Sequence, residues 1–444
     1  MSQFEQPKWP ASRVMFWVLI TLVTIVIFGS KFIDSFRPDP NMVVDFAQEW
    51  LSAKNYQVGL PVYSDHQLTL RQHLDLTIPN AELIIRYNAH PPVAVWLALP
   101  LAYWDYPTAM FVWNVTTFGL FLVAIALIVH ELELPFMVWS LLPVTALLVG
   151  SFPMFFQLAE GQLNCLLAFL LVLAWVADRR GWQFGSGLAI GTAAAIKLFP
   201  LFVLVYFAAT RRWRGAMGVV VAFLILNAAA VGMFGIETYR FYVTEVVPRV
   251  ADRFQTSPRN SAIAGFWLRL FAPHPDVGMQ AITPQPVVGM LIANMLRAVV
   301  VGVTAWLAWG ASSVAARDRV WSVATVGMLL VAPLTWSHYF LLLVMPCCWV
   351  WQRMRGFMLR VVMWVVFLLL VLPDNLGVMV FRGLEEAKRF GTAESRVLSG
   401  VEGLYMVGLQ HYALLGLFVL TLLTPTPTAS FNDQQPGTEP RKPV

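Results

Sequence analysis

Residues 160–216 read EGQLNCLLAFLLVLAWVADRRGWQFGSGLAIGTAAAIKLFPLFVLVYFAATRRWRGA. Apolar runs at 162–177, 184–196 and 199–209 are followed in turn by Arg179 and Arg180, by Lys197, and by Arg211, Arg212 and Arg214. Repeated runs of this kind belong to a membrane, whose hydrocarbon core takes roughly 20 apolar residues per helix. Short loops rich in Lys and Arg stay in the cytoplasm. Such loops at both ends of 184–209 argue against one straight helix there. The stretch therefore predicts a hairpin of two half-length helices, broken near Lys197 and Pro200, with its tip on the opposite side.

The rest of the 444 residues follows the same pattern, with 58% hydrophobic and 12% charged side chains; soluble domains run at roughly half and a quarter. Further runs at 14–33, 108–129, 135–149, 216–233, 287–309, 320–334, 339–351, 361–372 and 404–423 bring the expected spans to twelve, with both ends inside. No small-residue cleavage site follows 14–33, so it is expected to stay as the first helix. The segment 91–104 is short and carries Pro91, Pro92 and Pro100, which predicts a re-entrant or interfacial stretch. Arg317 with Arg319, Arg353 with Arg355 and Arg360, and Lys8, Arg13, Arg441 and Lys442 at the ends agree with this orientation. Loops 34–90, 234–286 and 373–403 then lie outside. The expected organisation is one transmembrane domain over 1–424 and a disordered cytoplasmic tail over 425–444, which has no apolar periodicity. The net charge of +5 does not point to nucleic acid, because the placement of basic residues matters more than their sum. Cys165, Cys347 and Cys348 lie in apolar runs, without disulfide or metal-ligand spacing.

This topology gathers the unusual polar residues at one side of the bilayer: Asp45 and Glu49, His90, Glu160, Gln162 and Asn164, Lys197, Arg259, Asn260 and Ser261, and His338. Ionisable residues at membrane depth are expensive, so a shared site is the economical reading. Plainer readings stand beside it. Asp45 and Glu49, at i and i+4 on an expected amphipathic interfacial helix, could be simply solvated. Lys197 could snorkel to the interface, and His338 could cap a hairpin. Gln162 and Asn164 could satisfy backbone freed at a helix end. Arg297, near the middle of its span, is expected to meet a lipid phosphate or a polar group of a neighbouring helix.

No Walker motif, no HExxH, no GxGxxG after a strand and no DxD pair occurs in a credible context, which disfavours a soluble nucleotide-activated donor. A donor that arrives through the membrane fits better, its phosphate met by Lys, Arg or His. No cofactor is expected, and no metal, since ligands cluster only at Asp45 and Glu49.

The ordered series DFAQEW (45–50), YNAHPPVAVWLALPLA (87–102), the block 160–216, NSAIAGFWLRLF (260–271) and LTWSHYFLLLVMP (334–346) resembles glycosyltransferase family 87. These are bacterial polytopic glycosyltransferases of the GT-C fold that use polyprenyl-phosphate-hexose, and they include mannosyltransferases of cell-envelope glycolipid synthesis. The resemblance runs to about Trp351, with GQ-x-N, the AAA-x-K-x-x-P tip and the late His-Tyr as its more specific parts. Where the family often has a third Pro, or another residue, this chain has His90 before Pro91 and Pro92, a departure expected to alter the acceptor side.

The resemblance implies an all-α GT-C membrane enzyme that inverts the anomeric centre, with Asp45 as the base that deprotonates the acceptor hydroxyl. It places Lys197, His338 and Arg259 at the donor phosphate, and Glu49, His90, Gln162, Asn164 and Asn260 around the substrates. One base with cations on the leaving phosphate suffices for such a step. The implied partners are a polyprenyl-phosphate-sugar donor, mannose first, a lipid-anchored glycan or other envelope acceptor, and membrane lipids. The implied place is the bacterial inner membrane, with the site on the periplasmic or extracytoplasmic side. Two rivals remain at this stage. A secondary transporter also uses broken helices and buried charges, although no inverted repeat is visible. A non-catalytic lipid-binding assembly protein would make Asp45 dispensable.

Overall fold

The computed structural model describes residues 9–37, 44–77, 86–273, 279–374, 376, 379–380 and 397–426, and the regular elements among them are helices. In chain order these are α1 (Ala11–Asp34), α2 (Phe46–Gln57), α3 (His66–Leu74), α4 (Pro92–Ala98), α5 (Tyr106–Glu131), α6 (Leu141–Gly150), α7 (Phe152–Ala159), α8 (Asn164–Arg179) and α9 (Gln183–Ile196). They continue with α10 (Val203–Ala209), α11 (Trp213–Phe234), α12 (Ile236–Phe241), α13 (Val247–Phe254), α14 (Ile263–Phe271), α15 (Pro286–Trp309), α16 (Val314–Val331), α17 (Val344–Arg353) and α18 (Phe357–Val371). A bent C-terminal pair, Gly400–Met406 and Leu409–Leu423, completes the fold. Residues 427–444, which hold most of the expected tail, and the anchors Lys8, Arg441 and Lys442 lie outside the described residues.

All twelve apolar runs are helical, but a count of twelve spans is not reached on length and composition. Among the described residues α1, α5, α11 and α15 are each long and apolar enough to cross a membrane. Two bent pairs, Val138–Gly150 with Phe152–Ala159 at 56° and the C-terminal pair at 55°, bring the number to six. The other runs are shortened by breaks or interrupted by charge, as where Arg317, Asp318 and Arg319 open α16.

The hairpin expected at 184–209 is present. α9 ends at Ile196, Lys197 is extended, and a 3-10 turn over Phe199–Phe202 leads into α10. Beyond the break the chain returns to its starting side: Tyr206 Oη donates to Asp178 at 2.6 Å, and Arg212 Nε donates to the same carboxylate at 2.6 Å. Asp178 lies in the last turn of α8, just before α9 begins. Small residues hold the arrangement. A Cβ on Gly187 would lie 2.0 Å from the Gly215 carbonyl oxygen, and one on Gly218 would lie 2.4 Å from that of Phe184. α9 and α11 thus touch backbone to backbone, as small residues allow between membrane helices.

One expectation for the first outer loop changes. α2 is not an amphipathic interfacial helix, because every residue from Phe46 to Ala53 is buried, polar Gln48, Glu49 and Ser52 included. The segment 91–104 forms α4 and a 3-10 turn at Leu101–Tyr103, with Pro92, Val93, Ala94, Val95 and Ala98 buried against protein. Backbone of this kind is tolerated at membrane depth when protein covers it. Arg297 donates to the carbonyl of Ala332, the C-cap of α16, and so meets a helix end with negative partial charge.

Polar residues collect at two poles. One holds Glu131, Asp178, Arg179, Arg180, Arg212 and Asp318: Arg180 Nε donates to Glu131 at 2.9 Å, Trp175 Nε1 donates to Asp318 at 2.9 Å, and Arg179 pairs with Asp318. The other holds Asp45, Gln162 and Lys197. α8 connects them, its 16 residues rising about 24 Å from Asn164 to Arg179.

Candidate active site

The second pole is built around one turn. α7 ends at Ala159, and Gly161 follows Glu160 with φ +61°, a left-handed conformation that favours glycine. A Cβ at Gly161 would also lie 2.6 Å from that of Phe46. The turn presents Glu160 to the start of α2: Phe46 N donates to the Glu160 carbonyl at 2.9 Å and Asp45 N to its Oε2 at 3.2 Å. Trp113 Nε1 donates to the Gly161 carbonyl at 2.8 Å, and Phe46 stacks on Tyr106 and Trp113. A conformational requirement, two backbone bonds and an aromatic stack thus fix where Asp45 stands.

Its carboxylate is held by two amides. Gln48 Nε2 donates to Oδ1 at 2.9 Å, and Gln162 Nε2 donates to Oδ2. The other end of Gln162 accepts from Lys197 Nζ at 2.9 Å. Lys197 is 5% exposed, and its hydrogen-bond partners are neutral: Gln162, and Tyr339 Oη at 3.4 Å, whose ring lies 4.6 Å from Nζ. A buried ammonium with neutral partners is suited to receiving an anion.

His338 and Arg259 approach from the other side. His338 is buried between the rings of Phe156 and Tyr339, each 5.0 Å away, and neither ring nitrogen has a hydrogen-bond partner among the described residues. Arg259 is half exposed, 4.0 Å from Asp374, with its guanidinium 5.8 Å from the Phe156 ring. Burial first, then Lys197, holds the His338 imidazole well below its ordinary value, so it stands as a neutral ring between the two cations, Lys197 at Tyr339 and Arg259 at Phe156.

The remaining sequence candidates divide. Glu49 pairs with His90 Nδ1 next to Asp45, while the His90 backbone is held by Asn88 Oδ1 and by Tyr63 Oη. Asn164 is fully buried one layer behind, donating to Gln157, which in turn donates to the carbonyl of Gln162; it supports that residue. Asn260 is a correction. Its Nδ2 donates to the carbonyls of Gln255 and Pro333, and its Oδ1 accepts from Ala262 N and Thr335 N. Every position of the amide is used by backbone, so it ties two loops together and has nothing left for a substrate. Sequence reasoning gathered Glu160 into the shared site without a role of its own, and gave none to Gln48, Gln157 or Tyr339. Glu160, Tyr339 and Gln48 lay inside the quoted motifs, whereas Gln157 carried no signal beyond being an amide.

Burial raises the Asp45 carboxyl above its ordinary value; His90 and the Gln162 hydrogen bond oppose this, and Glu49 adds to it. Glu160 is pushed up to about 7, by burial first and by Asp45 second. Among the described residues, no three His, Cys, Asp or Glu side chains are grouped to hold a metal ion.

The arrangement joins an acid, an amide and an ammonium at the mouth of helices suited to a membrane. The family model described as Glycosyltransferase family 87 matches residues 88–333, more than half of the chain. The chain belongs to glycosyltransferase family 87. The family match includes His90, Gln162, Asn164, Lys197, Arg259 and Asn260, while Asp45, Glu49 and His338 fall outside it. A family 87 chain of this kind is also similar to curated relatives. One is the polyprenol-phosphate-mannose-dependent alpha-(1-2)-phosphatidylinositol pentamannoside mannosyltransferase of Mycolicibacterium smegmatis, 26% identical over 59% of this chain and 60% of that protein. Another is the polyprenol-phosphate-mannose-dependent alpha-(1-2)-phosphatidylinositol mannoside mannosyltransferase of Mycobacterium tuberculosis, 24% identical over 79% of this chain and 78% of that protein. The match to the first spans less than two thirds of its length. The solved structure of ArnT from Cupriavidus metallidurans, in the apo state, overlaps 92% of this chain and 77% of its own at 15% identity; its TM-score of 0.31 is too low to bear on the fold.

Proposed function

We propose that this family 87 protein transfers a hexose, mannose first, from a polyprenyl-phosphate donor to a glycan acceptor anchored in the envelope, with inversion. The observation that carries the reading is Gln162, whose amide joins the Asp45 carboxylate to the Lys197 ammonium. A base and a cation held by one side chain suit a reaction in which a proton leaves one partner while charge grows on the other.

In that reaction the acceptor hydroxyl gives its proton to Asp45 as its oxygen bonds to the anomeric carbon. The bond from that carbon to the phosphate oxygen breaks on the opposite face, and its electron pair leaves with the polyprenyl phosphate. Lys197, with His338 and Arg259, meets the growing phosphate charge, a fixed cation being worth most where water is excluded. Glu49 and His90 set the field around the base. The relatives' names, which specify polyprenol-phosphate-mannose and phosphatidylinositol mannosides, support this choice of donor and class of acceptor. The basic short loops support a site on the outer face of the membrane.

The test is transfer in membranes from labelled polyprenyl-phosphate-mannose. Asp45→Asn keeps the size and most hydrogen bonds but cannot take the proton, so turnover should fall by roughly 10² to 10⁴ while donor binding stays nearly intact. Near-normal transfer by that variant would overturn the assignment of the base.

A further inference from the structure

A groove of about 560 Å³ runs along the side of α2, separate from the contacts that hold Asp45. Its lining mixes rings with hydrogen-bonding groups: Trp50, Tyr103 and Trp104 on one hand, Gln57, Gln72 and Asp105 on the other. Tyr103 is 80% exposed and Trp104 45%, whereas Trp50 is buried with its indole Nε1 lacking a partner among the described residues. Gln57, Gln72 and Asp105 are exposed.

We propose that this groove is a carbohydrate subsite that holds the sugar next to the one receiving the hexose. Sugar rings offer C–H faces to aromatic side chains and hydroxyls to amides and carboxylates, which is the mixture present here. The volume is in the range of small-ligand pockets. The position also fits. Trp50 lies five residues along α2 from Asp45, about 7.5 Å by helical rise, and Gln57 lies about 18 Å away. Trp50 is turned about 140° round the helix from Asp45, and the link between the two places is Tyr106, which lines the groove, meets Trp50 edge-on at 5.6 Å and stacks at 6.2 Å on Phe46, the residue beside the base. The groove thus begins one ring from Phe46 and runs along α2 away from Asp45, as the inner part of a glycan would when its terminal hydroxyl is at the base. This inference rests on the proposed function insofar as the acceptor is a glycan. It adds that the acceptor carries more than one sugar. A belt of interfacial Tyr and Trp is the competing use of Tyr103 and Trp104, but such a belt has no need of Gln57 and Gln72 in the same lining, whereas Asp105 also caps α5 by accepting from Thr108 N at 3.2 Å.

The test uses the full chain in lipid nanodiscs. Saturation-transfer NMR is recorded with free di- and trisaccharides of mannose, glucose, galactose and N-acetylglucosamine, and polyprenyl phosphate binding is measured on the same samples. At least one oligosaccharide should bind. Trp104→Ala and Gln72→Ala, both at exposed positions, should each weaken it tenfold or more and leave polyprenyl phosphate binding unchanged. The inference is overturned if no member of the panel binds, or if binding survives both substitutions, as an interfacial belt would have it. Loss of polyprenyl phosphate binding in the wild type, with sugar binding still dependent on Trp104, would instead count against the proposed donor and leave the groove standing.

Discussion

Lys197 Nζ lies 2.9 Å from Gln162 Oε1, and the amide nitrogen of the same side chain donates to Asp45. Only one orientation of this amide is compatible with both neighbours, because turning it over would set an NH2 group against an ammonium and an oxygen against a carboxylate. Gln162 is itself held in place, since its carbonyl accepts from Gln157. The acid and the cation are thus kept apart by one amide, without a direct ion pair, and act on each other only through space, Lys197 lowering the Asp45 carboxyl.

Replacing Lys197 should affect the donor side first, with a smaller rise of the Asp45 carboxyl as its effect on the base. Lys197→Ala is expected to raise the donor KM and lower kcat, with the acceptor KM unchanged, because the lost cation acts on both bound and departing phosphate. Gln162→Glu is the sharper variant. Its carboxylate would pair with Lys197 and repel Asp45, so turnover should fall at least tenfold and the acid limb of the pH–rate profile should move to higher pH. Steady-state kinetics against each substrate will check both. Wild-type values in the two variants would remove Gln162 and Lys197 from the reaction.

Glu160 gives a pH-dependent prediction of stability. Its folded value is about 7 against an ordinary 4.5, so the folded state binds this proton more tightly than the unfolded one. The contribution is complete below pH 4.5 and is lost as the pH rises through about 7. Thermal unfolding in detergent should show the wild type losing stability from pH 5 to pH 8. Glu160→Gln, which resembles the protonated form, should flatten that slope. An unchanged slope would mean that the carboxyl is not protonated in the fold.

Much of this site was legible because membrane burial makes polar residues conspicuous. Asp45, Lys197, Arg259 and His338 stand out in an apolar sequence, and the short basic loops predicted that they share a side. The break at Lys197 was legible for the same reason, from Arg clusters at both ends of one apolar run. Asn260 shows the limit: a polar residue in a quoted motif looks the same in sequence whether it serves a substrate or four backbone groups. The burial of α2 was hidden because its Gln, Glu and Ser are satisfied by distant residues such as Asn88 and Ala89, which only the tertiary fold brings near. The span count fails on a further point, since apolar runs do not reveal where a helix bends or stops short.

The opposite pole should matter to stability and not to catalysis. Asp318 is 2% exposed and meets Trp175 Nε1 and Arg179, so Asp318→Ala leaves a guanidinium without one of its partners at a covered position. Breaking a buried pair from one side costs about 3–5 kcal/mol. Arg179 retains Glu131 at 3.3 Å, which places the expected loss at the lower end of that range. The double variant with Arg179→Met should lose less than the sum of the two singles. Because this pole is about 24 Å from the start of α8, the donor KM of correctly folded protein should not change. A normal melting temperature in Asp318→Ala would show that the network does not hold the helices.

The pair formed by Glu49 and His90 makes the last prediction, because the two residues act on Asp45 with opposite sign. His90 is the largest influence lowering the Asp45 carboxyl, and Glu49 raises it. His90→Ala should therefore move the acid limb of the pH–rate profile to higher pH, since the base then holds its proton longer. Glu49→Gln should move it to lower pH, and the double variant should fall between the two. A purely structural pair would behave otherwise: both single variants would melt earlier, because each leaves a buried polar group without its partner, and neither would displace the limb. Measuring kcat/KM from pH 5 to pH 9 alongside melting temperature separates the two cases. Limb shifts in the same direction for both variants would show that His90 does not tune the base.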